Sequence, residues 1–355
     1  MVSTPEAGGA DTRSHRRILL SHLLTGLSYV VPFAILGGFL VALVARVETL
    51  VGDEIILRHV GEVGRLALSL VFPALGGFTA YAVAGRPGIA PGFVLAAAIG
   101  HPTVIAALGD ATGAASLESG GVIAVCLTGL MTGVVADRLT DRAVPSDIRP
   151  MYPVLVVPLV TTVIVAPIAL IATLPTGLLN GWVIARLPTV GPMWGFAVGA
   201  SLGTMMAWDL GGPVNKTAYL LAVAAVVEGA TTITAAAMAA GMTPPLGFAV
   251  AAALAPDRVG VRAVTPRETL MKGSLFITEG AIPYVERATS RFRPVTVAGS
   301  AVAGGIVMIR SVDLAVPHGG VLVIPLADDP VGFVLAVACG TALTATGAAL
   351  RGEST

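Results

Sequence analysis

Charge is what this sequence has least of. Only 12% of its 355 residues are Asp, Glu, Lys or Arg, where soluble domains carry about 25%. Hydrophobic residues make up 55% of the chain and the mean hydropathy is +0.87, which excludes a soluble globular enzyme. Net charge is missing as well. The 21 basic and 21 acidic residues balance, so no positive field exists to hold a phosphate backbone, and nucleic acid is dropped as a partner. Cysteine is scarce. Cys126 and Cys339 each sit inside a long apolar run without CxxC or Cys/His spacing. Both read as small packing hydrophobes, and no metal, cofactor or disulfide framework is implied.

Glycine and proline are plentiful, at 43 and 24 residues, and they are scattered through the apolar runs. There they point to membrane helices, where glycine permits close packing and neighbouring helices satisfy the backbone groups that proline frees. A span needs about 20 residues, and on that measure the runs from Ile18 to Leu350 predict an all-α polytopic membrane protein with about ten transmembrane helices plus re-entrant hairpins. Pro245–Ala255, Gly273–Tyr284 and Val316–Leu326 are too short to cross as simple helices, and each is flanked or interrupted by Pro or Gly. Such pieces are tolerated at membrane depth only when buried in protein or lining a cavity.

Basic residues set the expected orientation. Arg13, Arg16 and Arg17 place the N-terminus in the cytoplasm; the tip Gly109–Gly120, without Lys or Arg, falls outside; Arg138, Arg142 and Arg149 return inside. Arg258, Arg262 and Arg267 lie on one side of the Gly273–Tyr284 segment and Arg287, Arg291 and Arg293 on the other. Both clusters are expected in the cytoplasm, so the segment between them enters and returns on one side. Arg351 puts the C-terminus inside as well. The expected organisation is a disordered cytoplasmic tail at 1–17, an N-terminal half at 18–175, an amphipathic connector at 176–189 and a second half at 190–350 that holds the re-entrant segments. The connector reads equally as part of a tilted span.

Polar residues in such a chain are expensive and mark candidate sites. In Trp208–Lys216 an acid, a base and an amide surround a Gly-Gly-Pro break, so Asp209, Asn215 and exposed backbone groups can meet a polyhydroxyl ligand; the alternative is a capped loop with an Asp209–Lys216 pair. In Ser274–Pro283, Glu279 directly precedes a glycine. It can accept hydrogen bonds from hydroxyls or take a hydroxyl proton as general base, and the alternative is an acid satisfied by backbone or Lys272. His318 lies between Pro317 and Gly319-Gly320 in a short apolar segment, a position that favours facing a ligand. His101, in Gly100-His101-Pro102, is open between the two readings. The turn Gly85-Arg86-Pro87-Gly88 suits either docking of a cytoplasmic partner or a topology anchor. Glu228, in the Ala218–Ala240 run, could pair across helices or line the pathway.

Taken in order, these stretches resemble enzyme IIC, the membrane component of the fructose family of bacterial phosphoenolpyruvate-dependent sugar phosphotransferase systems. The resemblance rests on HLLTGLSYVVPFAILGGFLVAL from His22, AGRPGIAPGF from Ala84, LGGPVNKTAY from Leu210, MTPPL from Met242, ITEGAIPY from Ile277 and PHGG from Pro317. It implies a multi-pass permease of the bacterial cytoplasmic (inner) membrane, a homodimer in lipid. The 18–175 half would be the scaffold and dimerisation half, and the 190–350 half would hold the substrate. Fructose or a related hexose would be carried inward and phosphorylated on release, the phosphoryl group coming from a cysteine on a separate IIB protein charged by IIA. By matching motif, Glu279 and His318, with Thr278, would hold sugar hydroxyls, and Asp209, Asn215 and Lys216 would shape the pocket, Glu279 also being the catalytic candidate. Relatives usually carry an acid before Arg-Pro-Gly, where this chain has Gly85. The alternative that this departure raises is a sugar facilitator or secondary transporter without phosphoryl coupling.

Overall fold

The structure, a computed structural model, describes residues 8–352 apart from 53, 115–116, 187–190, 260 and 262. The chain is 84% helix, with no strand among the described residues. Two compact units divide it, one comprising the chain up to Pro32 together with Ser69–Ala185, the other Phe33–Leu68 together with Arg186 onward. Residues 33–68 therefore pack with the C-terminal part of the chain. Among the described residues, seven helices are long and apolar enough to cross a membrane, or eight if the bent pair Arg86–Gly100 and Pro102–Thr112, 61° apart, counts as one. The apolar runs had pointed to about ten; part of the difference is that one expected run is divided and its second part continues into the next within one helix, as described below.

The first unit contains the start of α1 (Gly8–Val51), then α3 (Val71–Ala84), α4 (Arg86–Gly100), α5 (Pro102–Thr112), α6 (Gly121–Thr140) and, after a π-helical turn, α7 (Val157–Arg186); α2 (Ile55–Ser69) precedes α3 and lies almost wholly in the second unit. Helix α1 is already helical at Gly8, so 8–17 of the expected tail continue the first helix, while 1–7 lie outside the described residues. Likewise α7 runs unbroken through 176–186 of the expected connector, and 187–189 lie outside the described residues. Helices α3, α4 and α6 meet glycine to backbone. A Cβ on Gly92 would come 2.8 Å from the Gly76 carbonyl oxygen, and one on Gly129 would come equally close to the same atom. Small residues let backbones approach where lipid offers no hydrophobic drive to association. Rings fill the remaining space, Tyr29 stacking on Phe78 at 4.5 Å and Phe78 meeting Phe93 edge-on at 5.3 Å.

In the second unit α8 (Pro192–Trp208) and α9 (Pro213–Val227) lead to α10 (Thr231–Leu254), the most enclosed helix, followed by α11 (Pro256–Val259), α12 (Pro266–Ser274), α13 (Ile282–Arg287), α14 (Thr289–Arg310) and α15 (Pro330–Arg351). Helices α8 and α14 run together along a seam where glycines face backbone. A Cβ on Gly199 would sit 2.6 Å from the Gly304 carbonyl carbon, and one on Gly203 the same distance from that of Ser300.

Ala218–Ala240 was expected as one span, but the chain breaks it at Glu228–Ala230, where α9 ends and α10 begins; α10 then runs on through Pro244 and Pro245 into the separately expected Pro245–Ala255. Proline at 244 removes the N–H that would bond the Ala240 carbonyl. The Ser300 hydroxyl of α14 donates to that carbonyl instead, at 2.8 Å. Satisfaction from a neighbouring helix is what keeps proline inside a membrane helix. Arg262, one of the basic residues used for orientation, lies outside the described residues.

Candidate functional site: three helix breaks in the second unit

The first break follows Trp208. Leu210 and Gly211 take φ values of 45° and 109°, turning the chain within a few residues, and Pro213 opens α9 at a position where a missing N–H costs nothing. Asp209 caps this helix. Its Oδ2 accepts from the Val214 N–H at 2.8 Å and its Oδ1 from the Asn215 N–H at 2.9 Å, two of the donors that a helix start leaves orphaned. The Asn215 side chain is buried and donates to the Met206 carbonyl at 2.5 Å, one of the orphaned acceptors at the end of α8. The same amide nitrogen lies 3.4 Å from the Thr278 hydroxyl oxygen, which accepts from it. The Lys216 side chain is exposed and its ammonium makes no hydrogen bond or ion pair among the described residues, so of the capped-loop alternative the cap is present and the Asp209–Lys216 pair is not.

The second break is the chain between α12 and α13. Thr265 caps α12 by accepting from the Glu268 N–H at 3.1 Å, and Lys272 pairs with Glu268 at 2.7 Å rather than with Glu279. Phe276 adopts φ 64°, a left-handed conformation that costs an L-residue roughly 1–2 kcal/mol. A 3₁₀ turn over Thr278–Ala281 follows. Glu279 is exposed on this turn and its carboxylate lies against the first break. A Cβ on Gly211 would approach Glu279 Oε1 to 2.7 Å, which puts the carboxylate on the first break, and the φ of 109° favours glycine at 211.

The third break is Pro317-His318-Gly319-Gly320, with Gly319 and Gly320 at φ 126° and 58°. A Cβ on Gly320 would come 2.9 Å from the Leu275 Cα, which places this segment directly on the second break. Pro317 in turn rests against Gly38 of α1. His318 is half-buried; its ring lies 5.3 Å from Phe276 and 6.1 Å from Tyr219. Burial pushes its pKa down, favouring the neutral imidazole. Its Nδ1 is buried without a hydrogen-bond partner among the described residues, as is the Tyr219 hydroxyl.

Asn215, the adjacent Thr278 and Glu279, and His318, from three separate stretches of sequence, are thus joined through direct contacts between the three breaks. Asp209 serves the same place as a cap, and Lys216 stands in the first turn of α9. Sequence reasoning missed Tyr219 and Phe276. The available signal was helical spacing: Tyr219 stands four residues beyond Asn215 on α9 and so shares its face. His101, by contrast, caps α5, its Nδ1 lying 2.8 Å from the Thr103 hydroxyl. Arg86 begins α4, exposed and without an ion pair among the described residues. No group of three His, Cys, Asp or Glu side chains converges as a metal site among the described residues. Chemically, the breaks offer a carboxylate, an amide, a hydroxyl and an imidazole beside aromatic rings, a set able to hold a polyhydroxyl molecule.

No family model matches the chain. Its fold is that of the N,N'-diacetylchitobiose-specific transporter ChbC, the IIC component of a phosphotransferase system, at a TM-score of 0.60 over 98% of this chain and 95% of that one, with 10% identity. The class is therefore a IIC-type transporter fold. Among curated proteins, the PTS system fructose-specific EIIC component of Haloferax volcanii is 37% identical over 94% of this chain and 92% of its own length. The fructose-specific EIIB'BC component of Xanthomonas campestris is 36% identical over 97% of this chain, which spans 59% of that longer protein. The chain belongs to the fructose-specific EIIC family of the phosphotransferase system.

Proposed function

We propose that the protein carries fructose or a related hexose across the cytoplasmic membrane as the IIC permease of a phosphotransferase system, with the three breaks of the second unit as its sugar site. The observation that carries this reading is the meeting of Glu279 with Gly211 and of Gly320 with Leu275, which gathers the polar groups of a chain poor in charge. Fructose appears in the names of the Haloferax and Xanthomonas relatives. In the latter a B and a C component share one name, which supports a IIB protein, itself charged by IIA, as the cytoplasmic partner.

In this mechanism Glu279 accepts the proton of a sugar hydroxyl as that oxygen forms its bond to phosphorus. The bond from phosphorus to the IIB cysteine sulfur breaks, and a thiolate leaves. His318, Thr278 and Asn215 hold the other hydroxyls, and Asp209 and Lys216 shape the pocket. The second unit holds the sugar, the first is the scaffold through which two copies pair, and both termini face the cytoplasm, as the arginine distribution favours.

Membrane vesicles supplied with the soluble components and phosphoenolpyruvate should convert external fructose to a phosphate ester inside. Accumulation of unmodified sugar without ester would sink the proposal. It would favour the second reading, an uncoupled facilitator, to which Gly85 points: with φ 68° and ψ −150° it holds a conformation that the acid usual in relatives would rarely adopt.

A further inference from the structure

A buried polar atom without a partner is a structural question, because leaving it unpaired costs free energy and most such atoms in folded proteins are satisfied. The second unit has two of them close together. Tyr219 reaches in from α9 and His318 from the third break, their rings 6.1 Å apart and nearly perpendicular. The Tyr219 hydroxyl and His318 Nδ1 are both buried and unpartnered among the described residues.

The third member is Phe276, 5.9 Å from Tyr219 and 5.3 Å from His318. Its position is held by two costly local features. The backbone is left-handed at φ 64°, and α10 carries glycine at 241, where a Cβ would run into the Phe276 ring and, at 2.9 Å, the Met206 methyl. A strained residue persists where its surroundings over-determine it, and such residues cluster at ligand sites.

We propose that Tyr219 and Phe276 complete the sugar subsite, with the Phe276 ring packing on an apolar face of the sugar and the Tyr219 hydroxyl sharing a sugar hydroxyl with His318 Nδ1. A sugar hydroxyl suits this pair, since it donates one hydrogen bond and accepts others, and so serves either imidazole tautomer. Two fixed polar atoms above a flat ring read the position of a hydroxyl relative to the C–H face, which is a test of stereochemistry. Tyr219 is thereby a specificity-determining residue. The inference rests on the hexose-permease reading above.

The test is equilibrium binding of labelled D-fructose and D-mannose to the purified full-length protein, with singly deoxygenated fructoses as competitors and the thermal midpoint recorded without sugar. Tyr219→Phe should weaken binding of the preferred hexose about tenfold. It should also raise the sugar-free midpoint, because it removes an unpaired buried hydroxyl. One deoxy analogue that wild type discriminates against should bind the variant as well as the parent sugar does. A hydroxyl that serves only internal water would leave affinity and the analogue series unchanged, and that result overturns the inference while the permease reading stands. Wild-type protein that binds neither hexose overturns both. If the tyrosine variant does not accumulate, Phe276→Leu carries the test: loss of the flat ring should weaken binding several-fold, and unchanged affinity overturns the inference.

Discussion

Two histidines next to proline separate the two units of this protein. His101, between Gly100 and Pro102 in the first unit, spends its Nδ1 on the Thr103 hydroxyl at 2.8 Å and so closes the start of α5. His318, between Pro317 and Gly319 in the second, keeps a buried Nδ1 without a partner among the described residues. Both stand at helix breaks of similar composition. The difference is local satisfaction: in the first unit the polar group that a break exposes is consumed within two residues, and in the second the breaks lean on one another and leave polar atoms facing inward. A break that completes its own hydrogen bonds serves packing, and one that does not has reserved them for something else.

The largest effect should come from the carboxylate between two of the breaks. Glu279→Gln is expected to lower phosphoenolpyruvate-dependent sugar phosphorylation by about 100-fold or more, the usual worth of a positioned general base. A variant transporting at the full rate would remove Glu279 from the site. Next, His318→Ala should weaken sugar binding about tenfold or more, the loss of a hydrogen bond in a buried site. His101→Ala should leave binding untouched and lower stability by no more than about 1 kcal/mol, as for a lost cap. Equal losses of affinity in the two histidine variants would break the comparison outright.

The contrast also explains what could be read from the sequence and what could not. Glu279 and His318 were conspicuous as candidates because they are polar groups at Gly-marked breaks in a chain with little charge. The partner of Asp209 was not legible, because a helix N-terminus two residues beyond Gly211 competes with Lys216 for the carboxylate and wins with two N–H donors. His101 and His318 could not be told apart, since the deciding atom in one case is a threonine hydroxyl whose direction depends on backbone geometry. The continuity of α10 through Pro244-Pro245 depends on Ser300, 60 positions from the carbonyl it satisfies. The packing of 33–68 with the C-terminal part of the chain is likewise a tertiary choice within a helix whose apolar pattern runs on unchanged.

Ser300→Ala sharpens that account at a smaller scale. It should leave the Ala240 carbonyl without a partner and destabilise the protein by roughly 1–3 kcal/mol in thermal or denaturant unfolding. No change would mean that α10 tolerates its prolines for another reason. The smallest effect belongs to the far end of α14. There the Arg310 guanidinium meets Asp329 at 2.6 Å, and the Gly332 N–H together with Arg310 holds the Asp329 carboxyl below its ordinary 3.8. A depressed native pKa gives stability that is present above the unfolded value and lost as pH falls through the native one. Asp329→Asn should therefore lower the thermal midpoint slightly at neutral pH, and the gap from wild type should close as the pH is taken below that of an ordinary carboxylate. A gap that persists in acid would assign the effect to something other than the charge.

The seam between α8 and α14 bears on how such a protein can diversify. Any side chain added at Gly199 or Gly203 would strike the backbone of the facing helix, so mutational drift there is closed off whatever sugar is carried. Tyr219, Phe276 and His318 stand apart from that contact. If those three residues line the sugar site as proposed, lineages that change their diet can rewrite that lining one ring or hydroxyl at a time while inheriting the frame unaltered.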